Sequence, residues 1–336
     1  MSLKNIKRVW FFDSVKGGSG KSSVCAKMYY EIKNQDKTPI VVDVDFLGTS
    51  WYFMFRDSTP GGLSNPRSEY IYLNNLIENW MGFQSRSKNL YIQSCDIFRL
   101  NGQREKIEFI MCHPDETAKR KYRVEDSSAH APQISFSLFE HNIKKLIELL
   151  DNYKYTDILF DLPPNTEPYT DKLIHLFFDN KSFNIKSEYA RLTRFFCQVT
   201  SPDASHIRST FEYLFEFIYH NSSVKINRDS KNIEYCVFFN DAINLRAFTS
   251  PAPKDVSEVL LGMNEELKQL YPHETTDVED FFSKHLKYKK GEDSQTKNNL
   301  YLVAYDEHWA KTRASQFFNS AVVSMSPLAT IDLPNL

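Results

Sequence analysis

Glycine is scarce in this sequence, with 10 among 336 residues, roughly half the usual share of about 7%. Long apolar runs are missing as well. None approaches the ~18 residues that a membrane-spanning helix needs, although 41% of the residues are hydrophobic. No charge of one sign dominates: 41 basic residues face 43 acidic ones, for a net charge of -2. That balance excludes a polybasic protein and leaves only local basic patches open. The cysteines, Cys25, Cys95, Cys112, Cys197 and Cys236, form no C-x-x-C pair. Neither a zinc site nor a disulfide framework is therefore indicated, and buried structural thiols are the expectation. The first residues, Met1-Ser2-Leu3-Lys4-Asn5-Ile6-Lys7-Arg8, carry no secretory apolar stretch or cleavage site. A cytoplasmic protein with no transmembrane segment follows as the expectation.

What glycine there is has been concentrated. Gly17, Gly18 and Gly20 fall within four residues. Before them, Arg8 to Ser14 is a short apolar run suited to a buried parallel strand. After them, Ser22 to Lys33 holds no Gly or Pro and reads as a helix. Thr38 to Asp45 is β-branched and reads as a second strand. Such strand–loop–helix–strand units build parallel sheets with right-handed crossovers.

Further strands are expected at 90–95, 107–112, 157–162, 194–200, 235–240 and 300–304. Helices are expected at 68–80, 170–178, 203–219, 254–270, 278–289 and 307–318. One more helix begins at Ser137-Leu138-Phe139-Glu140, which has the form of a capping box. Its apolar residues recur at 139, 143, 146, 147 and 150. No repeat and no interdomain linker is visible. The expected fold class is α/β: a mostly parallel, doubly wound sheet flanked by helices, in a single domain spanning 1–336.

Lys16-Gly17-Gly18-Ser19-Gly20-Lys21-Ser22 lies between a strand and a helix, the context that makes such a loop meaningful. Glycines let successive backbone N–H groups turn toward one anion at the positive end of a helix dipole. Lys21 would neutralise β- and γ-phosphates, and Ser22 would offer its hydroxyl to Mg²⁺. The general pattern G-x-x-x-x-G-K-[ST] places glycine where this chain has Val15. The alternative, a glycine-rich turn with a chance Gly-Lys-Ser, does not account for the order of strand, loop and helix.

The loop resembles the deviant Walker A motif of the ParA/MinD family of ATPases, which has a second lysine at its start. In that family the position of Val15 varies. Val41-Val42-Asp43-Val44-Asp45-Phe46-Leu47-Gly48 resembles the family's next strand and switch segment, with Phe46 where ParA proteins commonly have proline. Asp157-Ile158-Leu159-Phe160-Asp161-Leu162-Pro163-Pro164 resembles its Walker B strand. Weaker likeness runs through Val199-Thr200-Ser201-Pro202-Asp203 and Phe238-Phe239-Asn240-Asp241. Segments 51–133 and 271–298 match nothing in the family and read as insertions.

The resemblance implies an ATP site lined by Gly17, Gly18, Ser19, Gly20, Lys21, Ser22 and Ser23, with Asn240 and Pro202 at the base. It implies Mg²⁺ at Ser22, Asp43 and Asp161. It also implies that Asp45 acts on the attacking water, and that Lys16 crosses a dimer interface to the nucleotide of the other subunit. Asp43 and Asp45 stand two apart, so they point the same way if the strand continues. Catalytic roles thus fall to Lys16, Lys21 and Asp45. The implied protein is a nucleotide-sandwich homodimer, reset by hydrolysis and stimulated by a partner protein, and used in partition or positioning of DNA or another cargo. The alternatives are a P-loop ligase or kinase for a small molecule and a nucleotide-gated scaffold that turns over only with a partner. Non-specific DNA binding has two basic candidates, Lys119-Arg120-Lys121-Tyr122-Arg123 and Lys284, His285, Lys287, Lys289 and Lys290. Acids flank both, so an ordinary solvated surface is the preferred reading.

Overall fold

The computed structural model describes residues 3–46, 48, 51, 71–83, 92–99, 104–113, 134–164, 168–178, 192–201, 203–221, 224, 232–240, 256–287, 300–303 and 324–325. Nine strands form one sheet: β1 (Arg8–Asp13), β2 (Pro39–Asp43), β3 (Gln93–Arg99), β4 (Arg104–Ile110), β5 (Asp157–Asp161), β6 (Thr193–Thr200), β7 (Ile233–Asn240), β8 (Leu300–Val303) and the two-residue β9 (Ser324–Met325). Their order across the sheet is β8-β7-β6-β1-β5-β2-β4-β3-β9. Among the described pairs, β3 with β4 is antiparallel and the others are parallel. A doubly wound, mostly parallel α/β fold is what the alternation of strand and helix signals led one to expect.

The sheet is covered on both faces, and alternation within each strand shows it. In β1, Val9 and Phe11 enter one hydrophobic core while Trp10 and Phe12 enter another. β2 and β5 divide likewise: Ile40, Val42, Ile158 and Phe160 face one side, Val41 and Leu159 the other. Period-two alternation with apolar residues on both sides is why these strands read as unbroken hydrophobic runs. Aromatic stacking adds to the seams, with Trp10 against Phe195 at 3.7 Å and Phe196 against Phe217 at 4.1 Å between ring centroids. The helix α1 (Lys21–Lys33) packs on the second core. Helices Phe136–Asn152, Pro168–Phe178 and Ala204–Tyr219 pack on the first. Cys25, Cys112, Cys197 and Cys236 are buried free thiols.

Several expectations shift by a few residues. The helix expected to start at a Ser137 capping box starts at Phe136, and its cap is Ser135, whose hydroxyl accepts from the Leu138 N–H at 3.3 Å. Both serines stand three residues before a possible partner, so spacing alone did not separate them. The stripe at 139, 143, 146, 147 and 150 is buried as expected. The strands expected at 90–95 and 107–112 run instead over Gln93–Arg99 and Arg104–Ile110. Segment 51–133 therefore supplies two strands to the main sheet. The helix expected at 278–289 starts earlier, at Thr275, and gives way at Phe281 to a π-helical turn ending at His285. The expected helix at 307–318 lies outside the described residues. Among those described, no helix is long and apolar enough to cross a membrane.

Candidate functional site

Three neighbouring parallel strands each end in an aspartate at the same edge of the sheet: Asp13 on β1, Asp161 on β5 and Asp43 on β2. They are 1%, 0% and 0% exposed, and buried carboxylates need compensation. The glycine loop crosses this edge directly after β1. Open α/β sheets bind ligands at such a C-terminal edge, where crossovers leave in opposite directions; here they leave toward β5 and β6 on either side of β1.

Gly18 and Gly20 have φ of +83° and +85°, a conformation that other residues enter at a cost. Gly20 is the N-cap of α1, and no side chain caps that helix. The first bond within the helix is Val24 N–H to Gly20 C=O at 3.0 Å, so the earlier amides of the first turn have no intrahelical acceptor. A Cβ at Gly20 would lie 2.0 Å from Asn240 Nδ2, and that amide donates to the Ser19 carbonyl at 3.0 Å. Asn240, expected to read a base, is engaged here in holding the loop from the end of β7. Gly20→Ala is therefore expected to distort the loop and to lower Tm by an amount equivalent to roughly 1–2 kcal/mol. Gly17→Ala makes the stability comparison: its Cβ would meet nothing nearer than Pro164 Cγ at 3.9 Å, and its Tm should stay near wild type. Thermal denaturation checks both.

Lys21 is buried among the acids, and its Nζ donates to Asp161 Oδ1 at 2.7 Å. Burial pulls its pKa down, but the carboxylates of Asp161, Asp45 and Asp43 outweigh that and hold it above the ordinary lysine value. The other oxygen of Asp161 accepts the indole N–H of Trp51 at 2.7 Å. Asp43 Oδ1 accepts the Asp45 N–H at 3.1 Å, while its Oδ2 is buried with no hydrogen-bond partner among the described residues. Burial, then the charges of Asp45 and Asp161, pushes the Asp43 pKa well above the ordinary carboxylate value. Burial likewise raises Asp13, against hydrogen bonds from Gln198 and the Ser14 N–H.

The strand does not continue to Asp45 as the alternation argument required. It ends at Asp43, and Asp45 N–H folds back onto that residue. Asp45 still reaches the site, as one of the three charges raising the Lys21 pKa. Its Oδ1 accepts the Gly48 N–H at 2.6 Å, and a Cβ at Gly48 would stand 2.1 Å from its Oδ2. A side chain at 48 would have to displace the Asp45 carboxylate on which the turn is built. The hint in the sequence was that spacing of three. Trp51 carried no such hint.

Lys16 is exposed, and its Nζ donates to Ser205 Oγ at 3.2 Å. Ser205 and His206 sit at the start of the helix that Asp203 caps, with Asp203 Oδ1 accepting both their backbone N–H groups. Pro202 lies outside the described residues. Ser22 and Ser23 are buried in the first turn of α1, and the buried Ser19 hydroxyl has no partner among the described residues. No three His, Cys, Asp or Glu side chains converge on one point among the described residues. The donors present fit a hard cation that takes phosphate and water oxygens for the rest of its shell: a hydroxyl at Ser22, the unpartnered Oδ2 of Asp43, and Asp161. Of the basic clusters, 119–123 is outside the described residues. In the other, Lys289 and Lys290 are also outside them, His285 is buried, and Lys284 and Lys287 pair with Asp280 and Glu234.

A glycine nest between β1 and α1, with a lysine and acidic strand ends beneath it, defines a P-loop NTPase-type protein. No protein-family model matches the chain, and no curated protein matches it. Among solved structures it is similar to the cell-division ATPase MinD of Pyrococcus furiosus, at 14% identity over 70% of this chain and 73% of that one, with a TM-score of 0.41. It is similar to a putative plasmid partition protein of Borrelia burgdorferi B31 bound to AMPPNP, at 13% identity over 92% and 89%, with a TM-score of 0.48. It is also similar to a ParA family ATPase from Chlorobium tepidum TLS, at 13% identity over 82% and 98%, with a TM-score of 0.43.

Proposed function

We propose that this chain is a Mg-ATP-dependent ATPase switch that dimerises around its nucleotides. One observation carries the reading: a single glycine nest has a buried lysine, Lys21, on the acidic strand ends and an exposed lysine, Lys16, on its outer shoulder. The buried one serves phosphates within the subunit. The exposed one is free to move from a single hydroxyl contact to a charge beyond its own chain.

Incoming phosphates take the Lys21 ammonium and the amides at the start of α1, and Asp161 Oδ1 is thereby released. Ser22, with Asp43 and Asp161 acting through water, would hold a Mg²⁺, which would offset phosphate charge. Asp45 orients the attacking water once its carboxylate is available beyond the Gly48 turn. Hydrolysis changes partner affinity, and DNA or another cargo is positioned by that change. The ion pairs of Lys284 and Lys287 favour the solvated-surface reading over a DNA face at that cluster.

Light scattering with and without Mg-ATP tests the switch. Asp45→Ala is expected to accumulate as an ATP-bound dimer. Lys16→Ala should bind ATP without dimerising. If wild type and Asp45→Ala both stay monomeric with a non-hydrolysable analogue, the sandwich is wrong, and a small-molecule ligase or kinase takes its place.

A further inference from the structure

We propose that Trp51 is a positioning residue for the Asp161 carboxylate, an inference that rests on the phosphate-and-cation reading above. An aspartate's terminal torsion is broad and roughly two-fold, so packing alone does not decide which oxygen faces a ligand. Here two donors divide the carboxylate: Lys21 Nζ takes Oδ1 and the Trp51 indole N–H takes Oδ2, each at 2.7 Å.

The two donors differ in what they can do next. Lys21 is a flexible point charge that phosphates can draw away. Trp51 is 0% exposed and rooted in the core beneath α1, tilted against Phe109 of β4 with ring centroids 5.6 Å apart. Its indole nitrogen is the side chain's sole hydrogen-bonding atom, and it is aimed at Asp161. When Lys21 leaves for phosphate, Oδ2 stays with Trp51 and Oδ1 is the oxygen released toward the cation's water shell. Trp51 also lies six residues beyond Asp45 and three beyond Gly48, so the same bond ties the chain leaving the Asp45 turn to the end of β5.

Trp51→Phe keeps an aromatic ring and deletes the donor. Groups that orient metal-binding side chains typically change metal affinity by about 10–100-fold. Trp51→Phe is therefore expected to need roughly tenfold more Mg²⁺ for half-maximal hydrolysis, while ATP retention in EDTA stays at the wild-type level. A nucleotide-free readout stands beside it. The chain has four tryptophans, and the indole proton resonance missing from the Trp51→Phe spectrum identifies Trp51. That resonance should move upfield in Asp161→Asn, whose acceptor is uncharged. Circular dichroism confirms that both variants are folded. An unmoved resonance, or a Trp51→Phe Mg²⁺ titration that overlays wild type, overturns the positioning role. A wild type that retains no ATP overturns the phosphate reading, and the two failures are told apart by the resonance.

Discussion

Lys21→Ala is expected to lose ATP binding and to destabilise the nucleotide-free protein in the same stroke. The lysine is 7% exposed, its partner Asp161 is fully buried, and Asp43 and Asp45 lie close enough to raise its pKa. Removing one member of a buried pair leaves the other charge uncompensated, at a cost of about 3–5 kcal/mol. A binding defect in this variant alone would thus be ambiguous. The double variant Lys21→Ala/Asp161→Asn separates the effects, because the stranded carboxylate is gone while Trp51 still has an oxygen to bond. Its Tm should recover most of the loss, and its ATP retention should not recover. Thermal denaturation and filter retention of wild type, single and double variants decide the matter. A single variant with wild-type Tm would mean that Lys21 does not compensate the acids.

Asp43→Asn is expected to move stability and function in opposite directions. Asp43 Oδ1 has a donor, but Oδ2 is buried with no partner, and burial together with Asp45 and Asp161 pushes the pKa well up. A carboxyl whose pKa is higher in the folded than in the unfolded chain favours folding while it holds its proton. That contribution is complete below the unfolded value of about 3.9 and is lost as pH rises toward the folded value. Asparagine keeps the acceptor for the Asp45 N–H and has no proton to lose. At neutral pH the variant should therefore be more stable, by about 1–2 kcal/mol, a gain typical of sites that trade stability for function. The advantage should shrink as pH falls toward about 4. Mg²⁺-dependent hydrolysis should fall by about 10-fold or more, as when a group serving a metal's water shell is removed. Urea titrations at several pH values check the sign. An Asp43→Asn less stable than wild type at neutral pH would place the ionised carboxylate in a favourable environment and defeat the argument.

How much of this was legible in the sequence depended on how local the physics was. β1, the loop and α1 were readable because each is dictated by a short stretch: an apolar run, glycines at positive φ, and a segment without helix breakers. Asp161 was readable because it closes an apolar run; Asp43 was named through the family resemblance, since the strand was expected to run on to Asp45. Asp45 was named through the family resemblance, and the alternation offered beside it does not hold, since the strand ends at Asp43 and the Asp45 carboxylate closes a turn on Gly48. Trp51 and Asp161 are 110 residues apart, and Ser19 and Asn240 are 221 apart. No window of sequence contains either pair, and each contact exists only because the strand order makes neighbours of distant segments.

Eleven residues of α1, including Lys21, Ser22 and Ser23, are buried. A helix enclosed in this way cannot translate without opening the close-packed core around it. In mechanical language it is the stator of the molecule, and the difference between an empty and a filled nest has to be expressed by the parts that flank it. Two such parts are Lys16, standing outside the core on the loop's exposed shoulder, and the short turn from Asp45 to Gly48, held by a carboxylate that the chemistry itself would call upon. If the nest fills as proposed, the response therefore falls to small parts of the chain that flank it.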